Sequence, residues 1–159
     1  MAFPREDPGS GLAWLVCFCG SPWPPFQRLF GGRDNLAHVF AMRYDELTSR
    51  WTLLEYTMLG INSHPVPDDV AEWLIDHCLD NGAVLRFVSE RAVWWFPPLV
   101  VSCVSVLKSA LRIKAPLVWT PRALYHELVR RGADVIQPAV DRRRSADVLT
   151  RSAGPGARA

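Results

Sequence analysis

The sequence predicts an α+β fold, a small antiparallel sheet with helices packed on it. Three observations point there. "LAHVFAMRY" alternates like a half-buried strand, and a polar "DELTSR" joins it to a second strand, "WTLLEYT", as an antiparallel hairpin. "VPDDVAEWLIDHCLDNG" and "TPRALYHELVRRG" carry helix start and stop signals. The elements run strand, hairpin, helix, strands, helix, helix, not as a one-to-one alternation of strand and helix. A chain of 159 residues, 49% hydrophobic and 21% charged, has enough apolar material for one core.

Taken in order, residues 1–10 ("MAFPREDPGS") read as a flexible leader, 11–137 as one domain, and 138–159 as a disordered basic tail. Leu12–Phe18 is a short apolar run that fits a buried strand. "GSPWPPFQRLFGGRDN" is rich in proline and glycine, so it reads as a loop without regular structure. In the hairpin His38, Phe40, Met42 and Tyr44 share one face of their strand. A turn centred on Asp45–Arg50 sets Tyr44 opposite Trp51, Phe40 opposite Glu55 and His38 opposite Thr57. The first long helix takes Asp68 as N-cap and Gly82 as its end, with Val70, Trp73, Leu74 and His77 on one face. "AVLRFVSE" reads as a strand with "RAVWWF" as a partner, until Pro97-Pro98 stop the sheet. "PLVW" fits a short strand before a helix with Thr120 as N-cap, Pro121 at its first position and Gly132 past its end.

Composition narrows the function classes. The formal charge is +2, and the basic residues gather in the tail, including Arg142, Arg143 and Arg144, so the body is not expected to bind nucleic acid. Glu6 and Asp7 precede "GLAWLVCFCG", where a signal peptide carries positive charge. The apolar run from Ala92 to Leu107 is broken by prolines and falls short of the ~20 residues of a membrane span. A cytoplasmic or virion-associated protein is expected. Cys17, Cys19, Cys78 and Cys103 read as reduced thiols. With His64 and His77 they offer no C-x-x-C or H-x-x-x-H pairing, so no metal is expected. "FGGRDN" lacks the lysine of a phosphate loop.

Cys103 is the residue with most chemical promise. With Ser102 as N-cap it stands at the first position of a helix, where backbone N–H groups and the helix dipole favour a thiolate. It also belongs to the apolar stripe Cys103, Val106, Leu107, Ala110 and Leu111, which fits a core residue equally well. His38 is the candidate partner, with Glu55 diagonal to it on the same face and able to orient the ring.

A histidine strand, a second strand and then a cysteine-headed helix resembles the circularly permuted branch of the papain-like superfamily, the NlpC-like and lecithin:retinol-acyltransferase-like enzymes. "AHVFAMRY" stands where that branch has its histidine strand, and "SCVSVLKSALRI" where it has its cysteine helix. "RDNLAHVFA…W", "SCVSVLKSALRI" and "TPRALYHEL" are also similar to small proteins of tailed bacteriophages, over roughly Phe26 to Ala133. The resemblance implies Cys103 as nucleophile, His38 as base and Glu55 as third member. It implies a hydrolase or acyltransferase acting on an amide, ester or thioester bond, with no external cofactor. "VWWFPPLVVSC" is more apolar than most such sites.

Trp94, Trp95 and Trp119 could line an apolar substrate cleft, or simply fill a core. The expected partner is a peptide, amide or acyl substrate. The alternative is a non-catalytic binding or accessory protein that docks on another protein through its aromatic residues.

Overall fold

The computed structural model describes residues 12–21, 24–31, 35–89 and 101–136. The expected leader, the "RAVWWF" strand, Pro97-Pro98 and the basic tail lie outside them. The fold is mixed α+β, as the sequence predicts. Its centre is a six-stranded antiparallel sheet in the order β4-β3-β2-β1-β5-β6. The strands are β1 Leu12–Cys19, β2 His38–Asp45, β3 Arg50–Thr57, β4 Gly60–Val66, β5 Ala83–Ser89 and β6 Asp134–Ile136. The helices are α1 Pro24–Phe26, α2 Asp68–Asn81, α3 Cys103–Ala110 and α4 Pro121–Arg130. Among the described residues no helix is long and apolar enough to cross a membrane.

β1 lies between β2 and β5 and is covered on both faces, which is why it reads as an unbroken apolar run. Side chains alternate across it. Leu15 and Cys17 join a core cluster with Phe40, Met42, Leu53, Ile75 and Cys78 under α2. Val16 and Phe18 join the opposite cluster with Val39, Ala41, Leu107, Leu124 and Leu128 under α3 and α4. The hairpin register is the expected one, with Tyr44 opposite Trp51.

Caps place the helices on the second face. Ser102 and Ser105 form a capping box at the start of α3. Thr120 accepts from the Ala123 N–H at 3.2 Å, and Pro121 opens α4. Gly132 follows α4 with φ +87°, a conformation few other residues adopt.

Five local expectations are corrected. β4 and β6 form where none was expected. β4 is an exposed edge strand entered through Met58-Leu59, a turn without the usual glycine or asparagine pair, and it carries Pro65. "PLVW" turns instead of pairing: Lys108 Nζ holds the carbonyls of Ala115 and Val118, each at 2.8 Å, so those groups need no strand partner. The segment after β1 is not wholly irregular, since α1 and a π-helical turn at Gln27–Gly31 occupy it. α2 buries Ala71, Ile75 and Cys78 and exposes Val70 and Trp73. Two apolar stripes overlap on this helix. The one with small residues faces the sheet because it allows close approach, while Trp73 stacks on His77 outside, 5.4 Å between ring centroids. Pro67 holds the N-cap position and no side chain caps it, so Asp68 is the first helical residue and not the cap.

Candidate active site

The reactive side chains gather at one end of the sheet, where β1 finishes, β2 begins and α3 starts. Cys19, the last residue of β1, is paired directly with His38, the first of β2. Facing residues of an antiparallel pair have Cβ atoms about 4.5–5.5 Å apart, so thiol and imidazole are neighbours. The β2–β3 ladder runs from Asp45↔Arg50 only to Ala41↔Leu54. The expected facing of Phe40 with Glu55 and His38 with Thr57 falls beyond that ladder. Glu55 shares the α2 side of β3 with Trp51 and Leu53.

His38 is half-buried, and its ring lies 6.3 Å from that of Phe40. Burial pushes its pKa below the usual imidazole value, and the Glu55 carboxylate opposes that shift. Glu55 thus acts on His38 through its charge.

Cys103 is the first residue of α3, as predicted, and it is half-buried. Burial raises its pKa. The backbone at Val39, Val104 and Cys103 itself acts the other way, while nearby Cys19 adds to the rise. Two effects thus compete at this thiol, and desolvation exceeds the helix N-terminus. With both His38 and Cys103 pushed toward their neutral forms, the resting pair is thiol and imidazole, not thiolate and imidazolium.

The strand backbone at Val39 stands between the two groups. His38 projects to the α2 side of β2 with Phe40, whereas Cys103 packs on the cluster that holds Val39 and Ala41. The structure brings His38 together with Glu55 and Cys19. It brings Cys103 to the backbone of the residue after His38, and not onto the imidazole.

A cavity of about 440 Å³ opens on the α2 side, lined by Cys19, Gly20, Ser21, Asn35, His38, His77 and Asn81. Its wall is tied together by polar side chains. Gln27 Nε2 donates to Asn35 Oδ1, and Asn35 Nδ2 donates to the Asn81 carbonyl at 2.6 Å. Gln27 Oε1 accepts from the Ser21 N–H at 2.7 Å. Of the three tryptophans singled out, Trp94 and Trp95 lie outside the described residues. Trp119 is exposed and sits over Lys108, 5.0 Å from Nζ to the ring centroid. Lys108 is five residues along α3, roughly 7 Å from Cys103 on the helix axis.

Sequence reasoning passed over Cys19, Cys78, Asn35 and Asn81. One signal was available: residues two apart on a strand share a face, so Cys17 and Cys19 had to point the same way. That β1 would lie beside β2 was not readable across the long connection between them. Among the described residues no group of three or more His, Cys, Asp or Glu is arranged to hold a metal ion. Comparison with protein-family models, with curated proteins and with solved structures finds no match.

Proposed function

We propose that the protein is a cysteine hydrolase or acyltransferase of the permuted papain-like kind, acting on an amide, ester or thioester carbonyl. The observation that carries this reading is the seat of the Cys103 sulfur. It lies in the capped first turn of α3, packed on the cluster that holds Val39, the residue that follows His38. The chain order of histidine strand, second strand and cysteine helix supports it as well.

The chemistry follows from the resting state. His38, neutral at physiological pH, takes the Cys103 proton as the sulfur attacks the carbonyl carbon. Because the strand backbone separates the ring from the sulfur, this transfer requires the start of β2 to shift so that the imidazole reaches Cys103. The amides at the start of α3 stabilise the negative oxygen of the tetrahedral intermediate. The imidazolium, held by Glu55, returns the proton to the leaving amine, alcohol or thiol. Water or another acceptor, deprotonated by His38, then releases the acyl group and frees the thiol. Every step uses side chains and backbone of this chain, and no cofactor enters.

A second reading is a binding or accessory protein on the same fold. The observation favouring it is the strand backbone between His38 and Cys103, which suits two packing residues. Steady-state hydrolysis of small esters, thioesters and amides separates the two. The hydrolase reading requires turnover that Cys103→Ala abolishes with the melting temperature unchanged. Equal rates in Cys103→Ala and wild type would leave the binding reading.

A further inference from the structure

The outer face of α2 carries an apolar stripe that the fold leaves uncovered. Ala71, Ile75 and Cys78 turn inward, while Val70, Trp73 and His77 stay exposed, Trp73 by 62%. One side of the Trp73 ring stacks on His77, which leaves the other side of this exposed ring to solvent. Asp69, Asp76 and Asp80 are exposed on the same side of the helix as Trp73. α2 also holds Asp68 and Glu72 and has no lysine or arginine. Among the described residues none of these carboxylates is in an ion pair.

The path of the chain identifies what covers this face. β6 runs antiparallel to β5 with Ile136 opposite Val84, so the chain leaves the sheet beside the start of β5, close to where α2 ends. Ile136 packs against the same core cluster as Leu74 and Leu79 of α2, which puts that exit on the α2 side. Residues 138–159 follow, outside the described residues. Their sequence holds Arg142, Arg143, Arg144, Arg151 and Arg158 against only Asp141 and Asp147. Arg142 comes six residues after Ile136, a reach of about 20 Å for an extended chain. Trp73 lies eight residues before the end of α2, about 12 Å along the helix axis.

We propose that the outer face of α2 is the docking site of the chain's own arginine segment, Arg142–Arg144, with one guanidinium stacked on Trp73 and the others paired with Asp76 and Asp80. Arginine suits both contacts, since its planar group stacks on an indole while its N–H groups donate to carboxylates. Each contact is weak at an exposed site. Tethering makes up for that, because a short link holds the segment at an effective concentration in the millimolar range. The same tether favours the segment of one chain over that of a second copy. The docking is independent of the hydrolase reading, which uses nothing on this face of α2.

Limited trypsin digestion of the folded full-length protein at low salt tests it, with cleavage after Arg142, Arg143 and Arg144 followed by mass spectrometry. A chromogenic arginine substrate in each sample corrects for trypsin activity. The triple variant Trp73→Ala, Asp76→Asn, Asp80→Asn changes only exposed positions and should be cut there about tenfold faster than the wild type, since cutting tracks the undocked fraction. About 0.5 M NaCl should bring the wild type close to the variant's rate. A second measurement leaves α2 intact: the Trp73 Nε1–H resonance, assigned by its loss in Trp73→Phe, should shift when Arg142, Arg143 and Arg144 are all replaced by Ala. Equal cleavage of wild type and variant, or a Trp73 resonance indifferent to the arginines, would overturn the proposal. Protection that fades on dilution would place the segment on a second copy and overturn it as well. Absence of ester hydrolysis in the same preparation would count against the hydrolase alone.

Discussion

Cys19 and His38 face each other across β1 and β2, the last residue of one strand against the first of the next. His38 therefore has a thiol opposite its side chain and a second thiol, Cys103, against the backbone of the residue that follows it. Two thiols thus flank the start of one histidine strand, on its two faces. The consequences can be measured.

The first concerns catalysis. Burial holds His38 below the usual imidazole pKa, so on the hydrolase proposal the base is already free at neutral pH. For ester substrates kcat/KM should rise through an inflection below pH ~6.5 and then level off. His38→Ala should lower it by about 10²–10⁴ and erase the inflection, with the melting temperature held within a few degrees. Loss of folding along with activity would make His38 a structural residue.

The same burial links stability to pH. A histidine whose folded pKa is depressed adds stability that is complete above its unfolded value, about 6.5, and is lost as pH falls through the lower folded value. Urea midpoints should therefore drop on going from pH 7.5 to pH 5 by more in the wild type than in His38→Gln. An equal drop in both would mean that His38 does not carry this linkage.

Gly82 is needed for the close approach of α2 to β1. Its φ of −169° is open to any residue, so the constraint is space and not conformation. Gly82→Ala sets a methyl group on the Phe18 carbonyl oxygen. The expected cost is about 1–3 kcal/mol, the ordinary range for overpacking, read as a lower denaturation midpoint with an unchanged slope. The cavity wall at Cys19 should loosen with it, seen as faster alkylation of Cys19.

On the opposite face, Glu127 binds two arginines at the end of α4. Its Oε1 lies 2.7 Å from both Arg130 Nη2 and Arg131 Nε. Arg131 Nη2 also donates to the Lys114 carbonyl at 3.1 Å, joining the helix end to the α3–α4 connection. The arginines hold the Glu127 carboxyl at about 2, below the usual carboxylate range. Its contribution is full above the unfolded value, near 4.3, and disappears as pH falls through the folded one. Glu127→Gln should lower the melting temperature by a few degrees at pH 7 and leave it unchanged near pH 2.

What could be read from the sequence follows from locality. The Tyr44–Trp51 register, the Ser102 and Thr120 caps and Cys103 at a helix start depend on residues within a few positions of one another, and all are present in the structure. The buried face of α2 was misread because Trp73 and Val70 are more apolar than Ala71 and Cys78, yet the small residues allow close packing. β4 was missed because an exposed edge strand has little hydrophobic alternation to show. At the site, the placing of His38 and Glu55 on one side of the hairpin follows from strand alternation. Cys19 was not, since its place beside His38 depends on the pairing of β1 with β2 across an intervening loop, a non-local choice that no short pattern encodes.

The most direct test of the central claim is acylation of the folded protein by an activated ester such as p-nitrophenyl acetate, with the acyl group located by peptide mapping. The account predicts an acetyl group on Cys103, formed with a burst of p-nitrophenolate and slowed about 100-fold or more in His38→Ala. Acetylation of Cys19 instead, or of Cys103 at a rate indifferent to His38, would contradict it.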